Sequence, residues 1–156
     1  MSGKLIDLSL MLTCGGSWHN IPGKDPSSFI AAALKAMSEP GQPDRQYLTE
    51  AMIGREKDSP TAMGDSLAFP HPLADGLGIL GEPFVAVAYP RFPVPWGAPD
   101  GLSVRAAFFV VCGDRHFHLL TLAALAKHCS RNEVRAALMD EAPVSELITL
   151  MASKSF

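Results

Sequence analysis

The segment Gly64-Asp-Ser-Leu-Ala-Phe-Pro-His-Pro72 sets a histidine between two prolines at the end of a short apolar run. Proline fixes its own φ and pushes the residue before it out of the helical region. His71 is thereby expected in stiff, extended backbone at a strand end, where α/β proteins place their chemistry. A neutral imidazole has one bare nitrogen, able to attack phosphorus, and it titrates near physiological pH. Taken by itself, the same Pro-His-Pro pattern also serves a histidine in a purely structural turn.

Two other groups could act with it. His116 and His118 follow an apolar strand and open a helix, whose first N–H groups and dipole favour an anion. An HxH pair also suits metal ligation, but no third ligand stands at a recognisable spacing, so no metal is expected. Arg55 follows a predicted helix, and its planar fork matches a phosphoryl group. The alternative for Arg55 is a solvated residue of the charged patch Arg55-Glu-Lys-Asp58. His19 in a Gly-rich loop and His128 near a helix end carry no such pattern. Trp18, Trp96 and the methionines read as packing.

The elements that must position these groups can be read from periodicity. Lys4 to Leu12 reads as a first strand and Cys14 to Gly23 as loop. Asp25 and Pro26 start a helix with Phe29, Ile30, Ala33, Leu34 and Met37 on one face; Glu39-Pro-Gly41 stops it. A second helix is predicted from Pro43 or Asp44 to Ile53, burying Tyr47, Leu48, Met52 and Ile53. Strands follow at Ser66–Pro70, Phe84–Tyr89 and Ser103–Cys112, with Arg91 to Gly101 too rich in Pro and Gly to be regular. His116 to Cys129, apolar on most sides, predicts a buried helix. Ser130-Arg-Asn-Glu133 reads as a capping box, and Pro143 as the first turn of a last helix with Leu147, Ile148, Leu150 and Met151. Helices before, between and after a few strands predict a layered α/β domain.

Composition narrows the function. A chain of 156 residues suits a single domain spanning 1–156, and 47% hydrophobic with 19% charged residues is globular. A net charge of -3 lacks the basic excess that holds nucleic acid. The longest apolar run, within Arg105 to Cys112, falls far short of the roughly 20 residues of a membrane span. Asp7 stands where a signal peptide would need apolar residues, so a cytoplasmic protein is expected. Cys14, Cys112 and Cys129 form no CxxC pair and suggest neither a disulfide framework nor a zinc site.

The stretch Arg55-Glu-Lys-Asp-Ser-Pro-Thr-Ala-Met-Gly-Asp-Ser-Leu-Ala-Phe-Pro-His71 resembles the active-site signature of fructose/mannitol-type IIA domains of the phosphotransferase system. Arg55, Glu56, Thr61, Met63, Gly64, Leu67, Ala68, Phe69, Pro70 and His71 fall in matching register without a gap. The strand Val104 to Val111, followed by His118-Leu-Leu-Thr-Leu-Ala-Ala-Leu-Ala126, is similar to the family's second histidine and its helix. The likeness runs from the Asp25 helix to the end of the chain. It implies a three-layer α/β/α sandwich with a mixed sheet. It implies a phosphotransferase whose His71 is phosphorylated by a phosphohistidine carrier protein (HPr or a paralogue). His118 and Arg55 would steady the phosphoryl group, Thr61 and Gly64 would bind it, and no cofactor is expected.

The sequence also departs from the family pattern. Ala62 and Ser66 replace glycines, Pro60 replaces a serine, and Pro72-Leu-Ala-Asp75 lacks the Arg or Lys that usually follows Pro-His, which weakens the positive field. Chain architecture leans to a free-standing, nitrogen-regulatory type of IIA protein with a regulatory target. It also fits a sugar-specific IIA subunit that passes phosphate to a IIB partner. The alternative from another class is an interaction module that keeps the fold without phosphorylation; a weaker one is a metal site on His71 and His118.

Overall fold

The computed structural model describes residues 7–38, 45–73 and 83–152. Five strands form one mixed sheet: β1 (Ser17–Ile21), β2 (Ala62–Gly64), β3 (Leu67–Ala68), β4 (Phe84–Pro90) and β5 (Ala106–Val111), in the order β1-β4-β5-β3-β2. β1 runs parallel to β4 and β3 parallel to β5, while β4/β5 and β2/β3 are antiparallel.

The alternation of side chains along the central strands divides the interior into two cores. Val85, Val87 and Tyr89 of β4 and Ala106, Phe108 and Val110 of β5 face one side. There they meet α1 (Leu8–Gly15), α4 (Arg115–Cys129), α5 (Asn132–Met139) and α6 (Val144–Ala152). Ala86, Ala88, Ala107, Phe109 and Val111 face the other side, against α2 (Pro26–Met37), α3 (Arg45–Asp58) and Val94, Trp96 and Val104 of the 91–105 loop. The result is the expected three-layer α/β/α sandwich with a mixed sheet.

α2 forms as its sequence dictates. Asp25 accepts from the backbone of Ser28 at 2.8 Å while the Ser28 hydroxyl accepts from Asp25 N–H, closing a capping box, and the five predicted apolar residues are buried. Its stop signal at 39–41 and the start of the second helix at 43–44 lie outside the described residues. α3 continues past Ile53 through Asp58, carrying Arg55 and Glu56 in its last turn; Leu48 and Met52 are buried, but Tyr47 is exposed.

Other expectations are corrected. Residues 8–15 form a helix, not a strand, because Asp7 caps it through Leu10 N–H at 3.0 Å. Leu8, Met11, Leu12 and Gly15 then share one face at helical spacing. A Cβ on Gly15 would lie 2.0 Å from the Val85 carbonyl oxygen, so only glycine lets α1 lie this close to β4. The predicted loop 14–23 contains the edge strand β1. Ser66 is not in a strand but in the β2–β3 turn, where Asp65 and Ser66 adopt φ 55° and 64°, the left-handed pair of a two-residue hairpin. The Asp100 carboxylate braces that turn by accepting from Asp65 N–H at 2.8 Å.

α4 is not buried all round: Leu119 and Leu120 are exposed. The Ser130 capping box is absent, since the N-cap of α5 is Arg131, which makes no side-chain capping hydrogen bond, and the Ser130 hydroxyl donates to the Lys127 carbonyl instead.

Candidate active site

β3 and β5 run parallel, so the chain leaving each emerges at the same end of the sheet. His71 lies three residues beyond β3, and α4 begins shortly after β5. Val110 N–H donates to the Pro70 carbonyl at 3.0 Å, holding the extended segment before His71 against β5. His71 and His118 thereby meet with ring centroids 4.8 Å apart and planes tilted by 54°.

The His71 ring is half-buried, and its Nδ1 lies 2.7 Å from the Phe69 carbonyl oxygen. A carbonyl can only accept, so in the neutral ring Nδ1 carries the proton and Nε2 keeps the lone pair. Burial pushes the His71 pKa down; the Phe69 carbonyl offsets part of this, and the charges of Arg55 and Glu56 act in opposite directions. His71 is therefore held as a neutral imidazole whose Nε2 keeps its lone pair.

His118 is only 6% exposed, and among the described residues neither of its ring nitrogens has a hydrogen-bond partner. Burial, then the neighbouring His71 and Arg55, lower its pKa to about 4. It closes the first turn of α4, and its own N–H is spent on the Asp114 carbonyl at 2.9 Å. The helix start is less free than the sequence suggests, because the Asp114 carboxylate takes the Phe117 N–H at 2.9 Å. What His118 can offer an anion is thus its imidazole N–H.

The half-buried Arg55 donates through Nη1 to the Ser59 carbonyl at 2.8 Å, and its charge acts on both histidines. Thr61 is buried, and its carbonyl accepts from Phe69 N–H at 3.1 Å, two residues before His71. Its own N–H and O–H, however, both go to Glu56, at 2.7 Å each, which leaves neither for a phosphoryl oxygen in this conformation. Gly64 is placed elsewhere. It ends β2 and pairs with Leu67, which lies four residues, or roughly 13 Å of extended chain at ~3.3 Å per residue, before His71. Its φ of 98° serves the turn beside Asp100.

A cavity of about 220 Å³ opens over the histidine pair, lined by His71, Pro72, Leu73, Arg115, His118, Leu119 and Leu122. Arg115 supplies a cation that the Pro-His-Pro segment lacks. Sequence reasoning passed over it, although positions 115, 118, 119 and 122 share one helical face. It also passed over Trp96 as a polar group, since its Nε1 donates to Glu56 at 2.6 Å. His116 is exposed on α4, and the His19 ring packs at a tilt against Tyr89, away from this cavity. No group of three His, Cys, Asp or Glu able to hold a metal occurs among the described residues.

Comparison with known proteins gives this arrangement a lineage. The chain is 31% identical over 148 residues to a nitrogen regulatory protein of Pseudomonas aeruginosa, covering 92% of this chain and 93% of that one. It is 26% identical over 135 residues to a fructose-specific EIIABC component of Bacillus subtilis, covering 85% of this chain but only 21% of that much longer protein. The fold matches the nitrogen regulatory protein IIA-Ntr of Neisseria meningitidis with a TM-score of 0.76 at 23% identity, over 92% of this chain and 97% of that one. It also matches a complex of enzyme IIA and phosphorylated enzyme IIB for mannitol from Escherichia coli, with a TM-score of 0.71 at 18% identity, covering 97% and 99% of the two chains. Residues 18–154 match the family described as phosphoenolpyruvate-dependent sugar phosphotransferase system, EIIA 2, and the chain belongs to that phosphocarrier family.

Proposed function

We propose that this chain accepts a phosphoryl group on Nε2 of His71 from an HPr-type phosphohistidine carrier and passes it on, the whole chain acting as one cytoplasmic domain. The observation that carries the reading is the unsatisfied His118 packed against His71. A buried imidazole N–H without an acceptor costs about 1–3 kcal/mol, and a phosphoryl oxygen on His71 is an acceptor at hand.

In the transfer, the Nε2 lone pair forms the new P–N bond as the donor's P–N bond breaks, and the donor imidazole leaves with its electron pair. The phosphorylated His71 ring is cationic, and the Phe69 carbonyl stabilises it by accepting from Nδ1–H. Arg55 and Arg115 offset the phosphoryl charge, and His118 donates one hydrogen bond. Thr61 orders the segment before His71; it and Gly64 are assigned no direct phosphoryl contact.

The nitrogen-regulatory type is favoured by the likeness to a nitrogen regulatory protein along nearly its whole length. A sugar-specific role with a IIB partner is favoured by the likeness to the fructose-specific component. The test is phosphoryl uptake from carriers of both branches. His71→Ala should abolish it, and His118→Ala should slow it roughly ten- to a thousand-fold. A preference for the sugar-branch carrier would move the assignment to transport. No uptake from either would leave an interaction module.

A further inference from the structure

A buried carboxylate is costly unless donors surround it. Glu56 is 9% exposed, and among the described residues no cation pairs with it. Three donors satisfy it instead: Thr61 N–H at 2.7 Å and Trp96 Nε1–H at 2.6 Å on Oε1, and the Thr61 hydroxyl at 2.7 Å on Oε2. All three are short, as bonds to a charged acceptor are. They join the last turn of α3, the 59–61 turn and the Pro-rich 91–105 loop. From Thr61 the connection continues: its carbonyl holds Phe69 N–H, and the Phe69 carbonyl holds His71 Nδ1. The adjacent Arg55 is tied to the same turn through the Ser59 carbonyl.

We infer that Glu56 and Trp96 are positioning residues for the histidine pair: the buried carboxylate, pinned by the indole, fixes the turn that aims the Phe69 carbonyl at His71. In doing so it decides which His71 nitrogen is bare. Neither residue touches the phosphoryl group. The role in transfer rests on the phosphocarrier reading, but the role in setting the tautomer does not.

The variants separate position from charge. In Glu56→Gln the amide oxygen can keep the Thr61 and Trp96 N–H groups while the amide N–H donates to the Thr61 hydroxyl, so the geometry survives without the charge. Glu56→Ala removes the anchor; Trp96→Phe and Thr61→Val remove one donor each. Two quantities are measured at pH 7.5: the His71 tautomer, by long-range ¹H–¹⁵N NMR, and phosphoryl uptake with carrier KM and kcat separated. Glu56→Gln should stay within about threefold with a single Nδ1–H tautomer. Glu56→Ala should lose about ten- to a hundredfold in kcat with KM little changed, and show both tautomers. Trp96→Phe and Thr61→Val should each lose about three- to tenfold in kcat.

Loss in Glu56→Gln equal to that in Glu56→Ala would replace positioning by charge. A folded Glu56→Ala with one tautomer and unchanged kcat would overturn the inference. If Glu56→Ala does not fold, Trp96→Phe and Thr61→Val decide: wild-type kcat and tautomer in both overturns it. If the natural protein takes no phosphoryl group, the proposed function fails, while the tautomer comparison still tests the positioning role.

Discussion

Replacing His118 by glutamine should remove much of the protein's loss of stability on mild acidification. In the folded chain burial, His71 and Arg55 hold the His118 pKa at about 4, against an ordinary value of 6.5. The folded value is the lower one, so the unfolded chain binds the extra proton first. The titration of His118 therefore costs nothing well above pH 6.5 and destabilises progressively as pH falls from there to about 4. Integrated over the two pKa values, the cost is about 2.5 kcal/mol at pH 4.5 and close to zero at pH 7.5. The glutamine amide does not titrate in this range, while the carboxylates titrate in both proteins. Urea unfolding at pH 7.5 and pH 4.5 gives the four free energies needed. The natural protein should lose about 2.5 kcal/mol more than the variant between the two pH values. Equal losses, or an NMR titration of His118 near 6.5 in the folded protein, would refute the reasoning. Phosphorylation should raise the His118 pKa, since a phosphoryl dianion beside it favours the charged ring.

Arg115→Gln should slow phosphoryl uptake about two- to fivefold at low salt and less at high salt, as expected for one exposed cation at an anion site; Leu73→Arg should restore the loss. Stopped-flow transfer across salt concentrations checks both. Gly15→Ala should cost about 1–3 kcal/mol or more, because its Cβ would fall 2.0 Å from the Val85 carbonyl oxygen and force α1 off β4; thermal unfolding measures it. Tyr89→Phe should cost about 1–3 kcal/mol in urea unfolding, since the buried Tyr89 hydroxyl donates to the Ala142 carbonyl at 2.7 Å and that acceptor would be left unpaired.

How far the sequence could be read depended on the range of the forces involved. α2 was legible from its cap through its buried face because its cap, first-turn proline and apolar stripe are all local. α1 was misread because a short apolar run fits either period until Asp7 is recognised as its cap. β1 was hidden because Ser-Trp-His-Asn-Ile is an edge strand with an exposed stretch, which carries no alternating pattern. The meeting of His71 and His118 was legible through the resemblance of the strand and helix around His118 to the family's second histidine; parallel pairing of β3 with β5 realises it. Glu56 was quoted in that signature, yet its partner Trp96 lies 40 positions away in an irregular loop, and nothing local announces a bond between them. The exposure of Leu119 and Leu120 was misjudged for a similar reason. An apolar helix looks buried all round, although Leu119 rims the cavity and Leu120 is exposed outside its lining.

The central claim is that His71 Nε2 carries the phosphoryl group. ³¹P NMR of the protein at alkaline pH, after incubation with a phosphorylated HPr-type carrier, tests it most directly. One phosphohistidine resonance of the Nε2-linked type is predicted, absent in His71→Ala and present, though slower to appear, in His118→Ala. A resonance that persists in His71→Ala and vanishes in His118→Ala, or one of the Nδ1-linked type, would contradict the account.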